Sequence, residues 1–279
     1  MTLYAACCYF LIYSFAGWVT EVAYHAVTLG KIMNRGFLNG PVCPVYGFGM
    51  TAVLFVFDNI GTDNPFIVFV IGLVLTTLIE LIAGWILYTF FHARWWDYSS
   101  MPLNIRGYIC PAFSIIWGFA VLTVVKIAHP ALAAVTVDLI PVKILLPIMI
   151  IFMTVMLIDT SVTAATLIGL NKKLSELDTI SKAMRDYSDK LTEKIGQHTI
   201  NTAQSAQSAR VQAALARAEI RDAADLKLDD LQLRYEDIRS SIVRHRHYGA
   251  GRLINVFPNV YHRYYKDILE DIKTILHSR

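Results

Sequence analysis

Apolar residues gather into five long runs within the first 170 positions, then give way to a polar tail with helical periodicity. A bilayer core about 30 Å thick needs about 20 apolar residues in a helix. The windows 2–28, 43–60, 65–91, 108–129 and 139–170 meet or approach that length. The second is short and glycine-rich, which permits a tilted or partly re-entrant course. From Leu170 onward, Leu170, Leu177, Met184 and Leu191 keep a seven-residue spacing, with Ile180 and Tyr187 between them. That a/d pattern predicts a coiled-coil seam of about three heptads. Gly196 and the stretch 198–209 weaken the seam, yet its alanines and glutamines keep helix available, and a second charged helix is expected over about 205–245. Glycines 249 and 251 predict a break. Pro258 precedes a final amphipathic helix carrying Tyr261, Tyr265, Ile268, Leu269, Ile272 and Ile275. The expected fold is all-α: a polytopic membrane helix bundle of about five spans in residues 1–170, then a cytoplasmic helical, coiled-coil tail in residues 171–279.

Charge sharpens this division. The chain is 55% hydrophobic and 17% charged, with a mean hydropathy of +0.47, whereas soluble domains carry about a quarter charged residues. Residues 1–170 hold six Lys/Arg against seven Asp/Glu, and the tail holds 19 against 15. The net +3 is therefore slightly acidic in the apolar part and basic in the tail. A total of this size points to no nucleic-acid partner; the expected partner is the lipid bilayer of a cell membrane. The opening MTLYAACCYFLIY has no basic leader region, so the first run is expected to remain as an anchor. Lys31 and Arg35 lie in the first loop, Arg94 and Arg106 in the third, and Lys172 and Lys173 follow the fifth run, while Asp58 and Asp63 occupy the second loop without a cation. Positive charge favours the cytoplasmic side, which places the N-terminus outside and the tail inside; Lys126 and Lys143 dissent. Cys7, Cys8, Cys43 and Cys110 form no CxxC pair, so neither a disulfide framework nor a zinc site is expected. His25 and His92 lack a second ligand at helical spacing, and no metal or cofactor is assigned.

The membrane part also looks duplicated. Arg35-Gly36-Phe37-Leu38 followed by Tyr46-Gly47-Phe48 matches, at equal spacing, Arg106-Gly107-Tyr108-Ile109 followed by Trp117-Gly118-Phe119. Gly17-Trp18 aligns with Gly84-Trp85 once extra residues are allowed in the later loop. The unit is two spans, so both copies cross the membrane in the same sense, unlike an inverted repeat. The connecting loops, KIMNRGFLNGPVCPVYGFG and HARWWDYSSMPLNIRGYICP, are rich in glycine, proline and tryptophan. Irregular backbone at membrane depth survives only against protein or water, so the loops are expected to fold inward as a cytoplasmic cap. They serve either as interfacial connectors anchored by Trp95, Trp96 and Tyr98, or also as a binding or gating surface.

Charged residues inside apolar helices cost at least about 2.5–3.5 kcal/mol and are normally paired or face a cavity. Glu21, Glu80 and Asp159 are such residues. A polar cluster beneath the loops is predicted from Glu21, Asn34, Arg35, Asn39, Glu80, Asp97, Asn104 and Arg106, with Arg35 and Arg106 as counter-charges to Glu21 and Glu80. It is either an ion-pair lock between helices or a substrate or proton path. Asp159, within DTSVTAAT, reads as a helix-packing position. Arg244, His245, Arg246, His247 and Arg252 offer either a contact to anionic lipid or a solvated basic face.

GWVTEV, NRGFLNGPVCPVYGFG, WWDYSSMPLNIRGYICP with a following WG, and the late RLINVFPN together resemble the putative ABC-transporter type IV family of bacterial membranes. The resemblance covers the membrane part and reappears near the C-terminus. It implies a permease subunit whose nucleotide-binding subunit is a separate chain, and it brings no catalytic residues. This chain has no GxxxxGK[ST] phosphate loop, in keeping with that division of labour, and five spans imply a homodimer, with the tail as its contact. The other readings are a membrane scaffold or regulator recruiting partners through the coiled tail, and a membrane-embedded enzyme using Glu21, Asp97 or Glu80. The last lacks an evident nucleophile or metal set, and no enzymatic activity is expected.

Overall fold

Prolines set where the membrane helices begin. Pro44, Pro65 and Pro111 each stand in the first turn of a helix, where the missing N–H has no intrahelical acceptor to lose. The structure, a computed structural model, describes residues 1–30, 32–136, 139–203, 207–244 and 248–278. Its helices are α1 (Leu3–Leu29), α2 (Pro44–Ile60), α3 (Pro65–Phe91), α4 (Pro111–Thr123), α5 (His129–Val135), α6 (Val142–Ala203), α7 (Gln207–Val243), α8 (Gly249–Val256) and α9 (Lys266–Ser278). Two short strands, β1 (Ala93–Arg94) and β2 (Tyr261–His262), pair antiparallel. Among the described residues four helical stretches are long and apolar enough to cross a membrane: Leu3–Val27, Pro65–Phe91, Pro111–Val135 and Val142–Lys194. The chain is a multi-pass membrane protein, and α2, with 17 residues, is a shorter apolar helix.

The third of these stretches, Pro111–Val135, runs past its expected end at 129. A π-helical turn, Val124–Ala128, joins α4 to α5. Pro130 cannot donate to the carbonyl four residues earlier, and a widened turn just before it accommodates that loss. Glycine ends α1 and α2 in the left-handed region, at Gly30 and Gly61 (φ 64° for both). His92 ends α3 in the same region at φ 54°.

The chain divides into two compact units. Met1–Ile168 and Arg252–Tyr264 form the first. Within it α1 packs on α2, α3 on α4, and α2 on α3. Close approach in both hairpins depends on glycine. A side chain at Gly47 would meet the Phe10 carbonyl and the Phe10 and Ser14 side chains, and one at Gly118 would meet Phe69 and Leu73. Small residues at such contacts let helix backbones approach where lipid supplies no hydrophobic driving force. Gly17 and Gly84, aligned in the sequence, have different surroundings: Gly17 faces Tyr46 on α2, whereas Gly84 faces Tyr108 and Trp96 of the following loop.

Gly169–Gly251 and Tyr265–Arg279 form the second unit. Lys173 Nζ donates to Ser241 Oγ at 2.9 Å, and Lys227 Nζ lies 4.9 Å from the Tyr187 ring centroid. Ascending α6 thus matches descending α7, and the tail folds back on itself as an antiparallel helix pair. Leu174 and Leu177 are fully buried. α9 packs on α7, with Leu269, Ile272 and Leu276 buried and Arg239 paired to Asp271 at 3.3 Å. The expected break falls where α7 ends at Val243 and α8 starts at Gly249 (φ 66°), while Gly251 lies inside α8. Tyr261 belongs to β2 and not to the last helix, which starts at Lys266, because its backbone pairs with Arg94.

A test of the hairpin packing compares two neighbouring glycines. Gly47→Ala pushes a methyl into backbone and should lower stability by about 1–3 kcal/mol. Gly49→Ala, with nothing within 4 Å, should change it by less than about 0.5 kcal/mol. Thermal unfolding of both variants in detergent measures the difference.

Candidate functional site

The first loop has few backbone bonds of its own, so its peptide groups are satisfied by side chains from three directions. Asn34 organises the start: its Oδ1 accepts from Trp18 Nε1 at 2.7 Å and from the Gly36 N–H at 3.0 Å, and its Nδ2 donates to the Asn39 carbonyl at 2.7 Å. Asp159 on α6 accepts from the Asn39 N–H (3.1 Å), the Asn39 amide (2.8 Å), the Gly40 N–H (2.7 Å) and Thr163 (3.3 Å). Arg252 on α8 donates to the Gly36 and Phe37 carbonyls at 3.0 and 3.1 Å. The Cys43 N–H closes the loop onto the Ser14 carbonyl at 2.8 Å. Asp159 is therefore a loop anchor rather than a packing position. Arg252 is only 5% exposed, which removes it from any lipid-facing basic cluster; His245, Arg246 and His247 lie outside the described residues. Burial lowers the Arg252 pKa, opposed by the charge of Asp159.

The second loop builds itself more locally. Burial would raise the Asp97 pKa, but its bonds from the Ser99 hydroxyl and N–H, with Arg94 at 3.3 Å, hold it below the usual carboxylate range. Asn104 donates to the Met101 carbonyl at 2.8 Å and the Ser99 carbonyl at 3.2 Å, and accepts from the Gly107 N–H at 2.9 Å. Trp96 Nε1 donates to the Tyr108 carbonyl at 2.9 Å.

The two carboxylates reach phenols, not arginines. The Tyr46 hydroxyl donates to Glu21 at 2.5 Å, and the Tyr98 hydroxyl donates to Glu80 Oε1 at 3.0 Å. Glu80 Oε2 is buried without a hydrogen-bond partner. Burial, then the Glu80 charge, raise the Tyr98 pKa far above its ordinary value, so it remains a donor. The expected ion pairs are corrected. Arg35 donates to the Val256 carbonyl and stacks 5.0 Å from the Phe257 centroid; it feels Glu21 electrostatically, against the lowering effect of burial, without forming an ion pair. Arg106 sits at φ 50° in the tight turn bridged by Ile105 and Ile109; its side chain is exposed and forms no ion pair among the described residues. The structure thus brings Glu21 and Arg35 into electrostatic range and ties Asn34 and Asn39 to one loop and Asp97 and Asn104 to the other. Sequence reasoning missed Tyr46, Tyr98 as a ligand of Glu80, and Trp117, whose ring lies 5.5 Å from that of Tyr46. The repeated aromatic-glycine-phenylalanine strings contained that signal.

A C-terminal segment spans both loops. Phe257 stacks edge-on against Trp95 at 5.0 Å, and Trp95 against Phe37 at 5.2 Å. β2 pairs His262 with Ala93 and Tyr261 with Arg94, and the Arg263 N–H donates to the His92 carbonyl at 2.8 Å. Burial pushes Cys43 up to about 12, reinforced by Glu21, which leaves it a neutral thiol. Among the described residues no group of three or more His, Cys, Asp or Glu is arranged to hold a metal.

His262, 2% exposed, gives the segment a pH dependence. Its Nδ1 accepts from the Tyr264 N–H at 3.2 Å, and burial, with His92 beside it, lowers its pKa from 6.5 to about 4. The folded state therefore binds fewer protons, so this stability is complete above pH 6.5 and is lost as pH falls toward 4. The loss should reach about 3 kcal/mol. Melting temperature against pH, compared between the wild type and His262→Gln, should show a steeper acid decline in the wild type.

Against known proteins, the model of the family described as "Putative ABC-transporter type IV" matches residues 8–164. No curated protein and no solved structure matches.

Proposed function

Because this chain belongs to the "Putative ABC-transporter type IV" family, we propose that it is the permease subunit of a transporter whose nucleotide-binding subunit is a separate chain. The observation that carries this reading is the pair of membrane-embedded carboxylates, Glu21 and Glu80, each held by a phenol. Neither has a cation within ion-pair distance among the described residues. A lock between helices would join each to an arginine. Neutral donors, a phenol at each and the Trp117 side chain as well at Glu80, leave both carboxylates without a neutralising charge, as a polar path requires.

Paired packing supports a duplicated hairpin, in a register that replaces the Gly17–Gly84 match of the sequence. The displacement that carries Phe10 onto Phe69 and Ser14 onto Leu73 also carries Glu21 onto Glu80, and the one that carries Gly47 onto Gly118 carries Tyr46 onto Trp117. In this reading α2 is the remaining span of five, giving an outside N-terminus and a cytoplasmic tail. The loops and the segment 252–264 then form the cytoplasmic cap. A second copy completes the path, and the exposed Leu215, Leu226 and Leu233 on α7 give the tail an apolar row for that contact. The carboxylates bind and relay; no catalytic role is assigned to them. The scaffold reading draws on the tail forming a compact unit of its own.

Purification of the tagged full-length chain from its native membrane should bring down a nucleotide-binding subunit; a clean preparation without one overturns the permease reading. In that complex, Glu80→Gln should lower transport-coupled ATPase activity by about tenfold while moving the melting temperature by less than about 2 °C. The opposite pattern, lost stability with retained activity, identifies a lock.

A further inference from the structure

The C-terminal end of α3 gathers more positive charge than the protein neutralises. The Arg94 guanidinium lies 4.7 Å from the Tyr108 centroid and 5.5 Å from that of Tyr88. The Arg263 guanidinium lies 5.8 Å from the same Tyr88 and 5.3 Å from Tyr264. One ring thus carries two cations. Backbone bonding enforces the meeting: β1 and β2 pair Arg94 with Tyr261, and the Arg263 N–H is tied to His92. Arg106, exposed, belongs to the same loop as Arg94. Among the described residues these three cations form one ion pair, Arg94 with Asp97, whose carboxylate is also engaged by Ser99. The negative end of the α3 dipole offsets only about half a charge. His262 is neutral at physiological pH and changes nothing in this balance.

The surroundings are those of a bilayer boundary. Trp85 and Phe90, in the last two turns of α3, are exposed, as are Tyr261 and Tyr264. Exposed aromatic residues at a span end occupy the headgroup level, and guanidinium groups match phosphate oxygens bidentately. We propose that Arg94 and Arg263, gathered on Tyr88, bind the phosphate of an anionic phospholipid whose acyl chains lie along the exposed stripe of Trp85 and Leu78, seven residues apart on α3. The lipid is preferred to free phosphate because the apolar flank of α3 adjoins the cations and presents a tethered phosphate at their depth. This site is independent of the transport reading.

The test uses the delipidated full-length protein in detergent, with phosphatidylglycerol, phosphatidylcholine or inorganic phosphate added at equal concentration. Native mass spectrometry and thermal shift are the readouts. Phosphatidylglycerol should be retained and raise the melting temperature, while phosphatidylcholine and inorganic phosphate should do neither. Arg263→Gln keeps the backbone bond to His92, and it should weaken phosphatidylglycerol retention by about fivefold, the factor expected for one interfacial cation. Arg263→Lys, which keeps the charge but not the fork, should retain part of it. Equal retention of the two lipids, reproduction of the shift by phosphate alone, or unchanged retention in Arg263→Gln with the loss appearing only in Arg106→Gln would each overturn the proposal.

Discussion

Residues 36–40 form an irregular backbone at the end of membrane helices, where neither a helix ladder nor bulk water serves every peptide group. Two side chains of opposite charge from distant parts of the chain supply the missing partners: Asp159 accepts from the amides of 39 and 40, and Arg252 donates to the carbonyls of 36 and 37. A bond to a charged group contributes about 1.5–3 kcal/mol, and leaving a buried partner unsatisfied costs a comparable amount. The pair therefore holds the loop as a structure rather than as a connector. Each charge is also spent on backbone dipoles instead of on the other, which keeps Asp159 and Arg252 in electrostatic range without an ion pair.

The position of Tyr46 follows from that constraint. With the loop closed onto Ser14 through Cys43, α2 starts where Gly47 meets Phe10 and Ser14 and where the Tyr46 hydroxyl reaches Glu21. In the second hairpin the locally bonded turn around Asp97 and Asn104 positions Tyr98 over Glu80. The two loops solve the same problem differently. The first borrows partners from α6 and α8, and the second uses its own side chains plus the β1–β2 pair.

Membrane location and the helical elements were legible in the sequence because apolar run length and proline or glycine punctuation act locally. The π turn before Pro130 was not, since a helix continuing through a proline depends on neighbours able to support it. The family resemblance was legible in the long, unusual strings that fall within residues 8–164; RLINVFPN lies outside that match, and its arginine is a ligand of the first loop. The site was only half legible. Charge and depth pointed to Glu21, Glu80 and Asp159, and the polar loop residues Asn34, Asn39, Asp97 and Asn104 do shape the loops. Pairing by opposite charge placed Arg35 in electrostatic range of Glu21 but not in an ion pair, because Val256 and Phe257 take up its guanidinium, and it misassigned Arg106, which a left-handed turn leaves exposed.

Counting charges along the chain cannot reveal who meets whom across 120 or more residues, as for Asn39 and Asp159 or Gly36 and Arg252. What the sequence by itself determined is a multi-pass helical membrane protein of a recognisable family, since hydropathy and helix punctuation need no long-range information. Only the tertiary structure decided that phenols serve the carboxylates, that the tail returns along itself, and that residues 252–264 join the first unit. Those outcomes rest on hydrogen-bond geometry and close packing, which exist only after distant segments have come together.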